Sequence, residues 1–260
     1  MLRLAFSLLL LAAPAAAEPP PSVRSDAEAA AEAAMHEIVH ASFAPAPPMP
    51  FRTPFRGELA ETHPSGFGPL PSADRVVIID SAQAVARIPA HAAWPDLYFF
   101  LDRQTDGTWR ATAVRSLALP PFIHMMRDGL RGQAALGEEE RRLLANVELT
   151  MRSDLELRAW FSEHRMQLER IRTLARAVPH SGGGERPLAD LSVTTGLQAL
   201  NLSGATIAGD GTVRVTIGGV QDNSVGLLHP GNWGSLPTIS RIEYIWVEEL
   251  ENGWFLFRTT

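Results

Sequence analysis

SDLELRAWFSEHRMQLERIRTLARAV, residues 153–178, decides how the rest of the chain is read. Ser153-Asp154-Leu155-Glu156 has the S-x-x-E form of a capping box, in which each end's side chain satisfies the other's backbone N–H. Behind it Leu157, Trp160, Phe161, His164, Leu168, Ile171, Ala175 and Val178 fall on one stripe at helical spacing. Pro179 and the Gly182–Gly184 run stop the pattern. The spacing predicts a long helix with one apolar face, and that face requires a partner layer.

Outward from this helix the chain divides. Upstream, Glu138 to Arg152 reads as a helix with three acids in its first turn, where the helix dipole favours them. Phe122 to Leu130, opened by Pro120-Pro121, reads as a short helix. Downstream the remainder reads as strand. Ala199 to Ala208 and Thr212 to Gly218 flank Gly209-Asp210-Gly211, and Ile239 to Glu248 and Trp254 to Phe257 flank Asn252-Gly253, with Val225 to Leu228 a short edge piece. The block before residue 120 has one helix, from the capping box Ser25–Glu28 to about Ser42, with Ala27, Ala31, Ala34 and Ile38 on one face. After a proline-rich connection over 44–74, with one short strand expected at Gly57 to Glu61, come strands at Val76–Ile79, Ala84–Ile88, Leu97–Leu101 and Trp109–Val114. Asp106-Gly107 turns the last pair.

The fold class expected is α+β, helices on curved antiparallel sheets, in two blocks, 25–119 and 120–260. The blocks end alike: Tyr98-Phe99-Phe100-Leu101, Asp106-Gly107, Trp109, Arg115, and Tyr244-Ile245-Trp246-Val247, Asn252-Gly253, Trp254, Arg258. Both Trp-to-Arg offsets are even, so in a regular strand each Trp shares a face with its Arg. Helices first, then long strands closing on a D/N-G…W hairpin, resembles the cystatin-like superfamily with its NTF2-like and SnoaL-like folds. The resemblance is clearest over 121–260 and fainter over 25–119. It implies two such domains and a cone-shaped pocket between a curved sheet and a long helix. It implies shape rather than activity, because members include enzymes, ligand binders and interaction modules.

The first seventeen residues read as a secretory leader: Arg3, an apolar run from Leu4 to Leu11, and Ala15-Ala16-Ala17 as cleavage site. A proline-rich segment, 18–24, follows. The apolar run falls short of the roughly 20 residues that span a bilayer, and no later stretch is long and apolar enough. The expected location is therefore periplasmic or secreted, without a stable membrane anchor. With no cysteine there is no disulfide, thiolate–metal site or lipid-modified Cys. A net charge of −6 without a basic cluster argues against nucleic acid as partner. Every one of the 23 cations is Arg, which together with the alanine bias suggests a GC-rich bacterial genome.

Three chemical features stand out. His36-Glu37-Ile38-Val39-His40 has the H-E-x-x-H form in which two His bind Zn²⁺ and Glu acts as base on the bound water. Against it, at 100° per residue both His project away from the alanine face. No placed third ligand accompanies them, although Glu58, Glu61 and His63 lie downstream. His164 sits in the apolar stripe. Either it is an acid–base group in the pocket, with Glu243, Glu248 or Asp222 as partner, or it is a structural His bonded to a backbone carbonyl. Trp160, Tyr98, Tyr244 and Trp246, with Trp109 and Trp254, are either pocket lining or strand core. The function expected is a non-catalytic binding or accessory module for a small apolar ligand or a protein partner. A zinc hydrolase on His36, Glu37 and His40 and a pocket enzyme on His164 are the alternatives.

Overall fold

The computed structural model describes residues 29–35, 73–90, 95–179, 184–220 and 222–260. Two apolar residues one helical turn apart set the first packing contact. Helix α1 (29–35) buries Ala31 and Met35 against the Ala84, Ala86, Ile88, Leu97, Phe99 and Leu101 face of a four-stranded sheet. That sheet is an antiparallel meander of β1 (Arg75–Ile78), β2 (Gln83–Ile88), β3 (Leu97–Arg103) and β4 (Trp109–Arg115). Period-2 alternation turns Val85, Arg87, Tyr98 and Phe100 to its other face.

The second sheet has six antiparallel strands in the order β5 (Arg186–Pro187), β6 (Gly204–Ile207), β7 (Val213–Val220), β8 (Asn223–His229), β10 (Phe255–Thr259), β9 (Tyr244–Glu249). Four helices accompany it: α2 (Pro121–Arg131), α3 (Glu138–Thr150), α4 (Asp154–Ala177) and α5 (Leu191–Ala199). The α+β class with helices packed on antiparallel sheets is thus as the pattern predicts. The capping box forms, Ser153 Oγ accepting the Glu156 N–H while Glu156 accepts the Ser153 N–H at 2.8 Å. The stripe of the 24-residue α4 is buried through Leu157, Trp160, Phe161, Leu168, Ile171 and Ala175, against Ile207, Val213, Val215, Ile217, Leu227, Trp254 and Leu256. At roughly 1.5–3 kcal/mol per fully buried large apolar side chain, this contact is the main stabiliser of the second half. The space between the long helix and the sheet is filled core. Among the described residues no helix is long and apolar enough to cross a membrane.

Several elements differ from expectation. Residues 191–199 form α5 instead of a lead-in to strand, with Asp190 Oδ1 capping the Ser192 N–H at 2.9 Å. Its Gly196 lies so close to α4 that a Cβ there would meet Ile171 Cγ1 at 2.9 Å. Val225 to Leu228 belongs to β8, an interior strand between β7 and β10. Gly226 within it is required because a Cβ would strike the Val215 carbonyl and come within 2.6 Å of the Phe257 ring. The two hairpins read as twins also differ. Asn252 and Gly253 both take left-handed backbone, φ 57° and 74°, as in a type I′ turn. Asp106-Gly107 has one left-handed residue, Gly107, closing on the Gln104 carbonyl at 2.9 Å. Its geometric twin is Asp210-Gly211, where Gly211 closes on Ala208 at 3.0 Å and Asp210 accepts the Thr212 N–H as Asp106 accepts that of Thr108. Finally, a bulge places Phe100 opposite Ala113 but Leu101 opposite Ala111. The extra residue, Thr112, puts Trp109 and Arg115 on opposite faces. Trp109 joins the α1 side, whereas Arg115 reaches the Arg241 carbonyl at 3.1 Å.

Candidate functional site

The two sheets meet on a cluster of charge. From the first sheet comes the cross-strand pair Arg87–Tyr98 and from the second the pair Arg258–Trp246. Tyr98 stacks on Trp246 with centroids 5.2 Å apart, and the Arg87 guanidinium lies 5.4 Å over the Trp246 ring. Asp154, the first residue of α4, drives its carboxylate into this junction. It is 0% exposed. Such a group is tolerable only if its lone pairs are filled. They are: Asp154 accepts from Tyr98 Oη at 2.8 Å, Arg87 Nη1 at 3.2 Å and Arg258 Nε at 2.7 Å. The helix dipole adds to its stabilisation.

Glu248, 1% exposed, anchors the other end. It accepts from Arg75 at 2.6 Å, Arg158 at 2.6 Å, Arg87 at 2.7 Å and Trp246 Nε1 at 3.1 Å. Arg87 completes its fork on Asp74, at 2.9 and 2.6 Å. Burial works against the Arg87 charge, but the bond to Asp74 and the charges of Glu248 and Asp154 prevail and hold its pKa above the usual arginine range. Arg258 is held above that range in the same way: burial opposes its charge, while the carboxylates of Asp154 and Asp96 favour it. Burial also pushes the Tyr98 hydroxyl well up, so it donates to Asp154 as a neutral phenol.

Beyond Arg258 the cluster opens into a cavity of about 440 Å³ at the start of α4. Ala90, Pro95, Leu117, Ala118 and Leu119 supply apolar wall; Thr150, Met151, Arg152, Ser153 and Glu156 supply the helix–helix corner; His124 of α2 stands at one side; Asp96 and Arg258 complete the lining. Asp96 is 3% exposed, accepts the Ala90 N–H at 2.9 Å and the Asp154 N–H at 2.8 Å, and lies 3.5 Å from Arg258. Burial, then repulsion from Asp154, raises its pKa; Arg258 and the two N–H bonds oppose without cancelling. A pocket of this size, with an apolar wall facing a set of polar and charged groups that includes a perturbed carboxyl, has the features of a small-molecule site.

The residues singled out from sequence fall elsewhere. His164 is half-buried on α4; its Nδ1 bonds the Trp160 carbonyl at 2.8 Å and its ring stacks on Trp160 at 4.8 Å. Of its suggested carboxylate partners, Glu248 is committed to the arginines. The structure thus has the backbone-bonded arrangement. Trp160, Tyr98 and Trp246 are core, Trp160 7% exposed and the other two 0%. Tyr244 is also buried, accepts a hydrogen bond from Arg214 and borders a separate cavity of about 220 Å³. His36, Glu37 and His40, with Glu58, Glu61 and His63, lie outside the described residues. Among the described residues no three His, Cys, Asp or Glu side chains are grouped to hold a metal.

Asp96, Arg87, Asp154 and Arg258 were not legible as a site. Asp154 shows in sequence only as a helix-start acid and Arg258 only as part of a repeated hairpin. The available signal was an arginine at the inward position of an otherwise apolar strand, as in Ala84-Val85-Ala86-Arg87-Ile88 and Phe255-Leu256-Phe257-Arg258. Buried arginine demands a buried acid. No family model, curated protein or solved structure matches the chain.

Proposed function

We propose that the protein is an exported, non-catalytic binding protein that holds a small, largely apolar ligand in the cavity at the start of α4. The observation that carries this is the cavity itself, about 440 Å³ with apolar walls over the buried Arg258. That volume falls in the range of roughly 300–1,000 Å³ used for small organic ligands. The reading of the polar groups supports binding over turnover. Ser153 Oγ is tied into the helix cap with Glu156, and both Asp96 oxygens accept backbone N–H groups. Side chains held in place by such backbone and capping bonds serve the fold first, which favours a binding role over nucleophile or general-base work. The leader-like residues 1–17 support export. The element order that resembles the cystatin-like superfamily is in keeping with a ligand-holding role, since binders are among its members.

Titration of the purified protein with the neutral dye Nile red tests this. Saturable fluorescence enhancement at one site, lost in Ala118→Trp, is expected. Ala118 is an exposed wall residue, so the larger side chain fills the cavity without entering the core. Enhancement that survives Ala118→Trp, or none at all, contradicts the reading.

A further inference from the structure

We infer that the ligand carries a carboxylate head, which the cavity receives between Arg258, Arg152 and His124. This rests on the binding reading above and goes further in naming the ligand's chemistry. Of the two acids that border the cavity, Asp96 gives one oxygen to the Ala90 N–H and the other to the Asp154 N–H, and Glu156 gives Oε2 to both the N–H and the hydroxyl of Ser153, bonds that leave its Oε1 unused.

The basic groups are not spent. Arg258 uses Nε on Asp154, and Nη2 on the Arg152 carbonyl at 2.8 Å and on Asp96; none of these bonds uses Nη1. The side chains of Arg152 and His124 are exposed and border the cavity; their charges act on Glu156 and Asp128 respectively, but neither side chain is held by a hydrogen bond or close ion pair among the described residues. Three basic groups with donors in reserve outnumber the one unused oxygen of Glu156, and this balance favours an anion. Arginine forks match the planar carboxylate. Leu117, Leu119, Ala90 and Pro95 then take an apolar body. The site is built, because Arg258 is 3% exposed and fixed by its bonds before any ligand arrives, which lowers the ordering cost of binding.

Isothermal titration calorimetry with octanoate, octanamide and octylammonium tests this on the whole exported chain. Octanoate is expected to bind one to one, with octanamide and octylammonium at least roughly tenfold weaker, the discrimination of a charge-assisted hydrogen bond. Arg152→Gln, on an exposed residue that leaves the fold intact, is expected to weaken octanoate about tenfold while leaving octanamide within about twofold. Octylammonium binding as tightly as octanoate overturns the inference, as does an Arg152→Gln, His124→Gln double variant with unchanged octanoate affinity. If octanoate fails to bind while Nile red still binds and is excluded by Ala118→Trp, the carboxylate head is wrong and the ligand site stands. If Nile red fails as well, both fall.

Discussion

Replacing Glu248 by Gln removes one negative charge from the junction of the two sheets and keeps the side chain's shape. Four donors converge on this carboxylate, but they are not equal. Arg75 and Arg158 have side chains 37% and 41% exposed, so each returns to water on losing its partner at a cost of about 0–1 kcal/mol. Arg87, 3% exposed, has no such escape. Loss of one partner from a buried pair costs about 3–5 kcal/mol. Arg87 keeps Asp154 and its fork on Asp74, which places the loss at the low end, about 3 kcal/mol. For a domain of this size about 2–4 °C accompanies each kcal/mol, hence a fall in Tm of about 6–12 °C by calorimetry. Arg158→Ala and Arg75→Ala should each cost less than about 1 kcal/mol. A Glu248→Gln variant that melts no lower than Arg158→Ala would refute the claim that burial, and not the number of contacts, sets the energy of this cluster.

Three further outcomes are expected. Gly226→Ala should lower stability by about 1–3 kcal/mol in urea unfolding, because the new methyl overlaps the Val215 carbonyl and the Phe257 ring; an unchanged midpoint contradicts the packing. Ser153→Ala should cost about 1 kcal/mol by loss of the α4 cap, read in the same assay. His229 faces Arg172 and Arg176 of α4, with Glu169 near Arg172; burial first, then the two arginines, depress its pKa below the ordinary 6.5. The folded state therefore takes up a proton later than the unfolded chain as pH falls. Stability attributable to His229 is present above pH 6.5 and lost on acidification below it. His229→Asn should flatten that part of a Tm-versus-pH curve, and a curve with unchanged slope contradicts the assignment.

What sequence reveals here depends on how local the signal is. The Ser153–Glu156 box and the stripe behind it lie within one helix, and α4 emerges almost to the residue. The Asp-Gly turns are equally local. Helix α5 fails the same test because Val193, Thr194, Thr195 and Gly196 are poor helix formers; its existence depends on Ile171 filling the space that a Gly196 side chain would take. The Thr112 bulge cannot be seen by counting even offsets, so Arg115 is assigned the wrong face. The ion cluster is the extreme case. Arg87 meets Asp154 across 67 positions and Glu248 across 161, and Arg258 meets Asp154 across 104. No spacing rule joins residues so far apart. The cavity draws its wall from segments near Ala90, Leu117, Thr150 and Arg258, so its chemistry exists only once both sheets and the start of α4 are in place.

The most direct measurement is an ¹H–¹⁵N NMR titration of the protein with octanoate that follows both backbone amides and the Arg258 Nε–H. Binding at the start of α4 moves the signals of Ala90, Asp96, Ala118 and Ser153 together with Arg258 Nε–H, along one saturating curve. Shifts confined to exposed apolar positions such as Phe122, Met125, Trp233 and Ile242, with Arg258 unmoved, would contradict a ligand site built on the buried arginine.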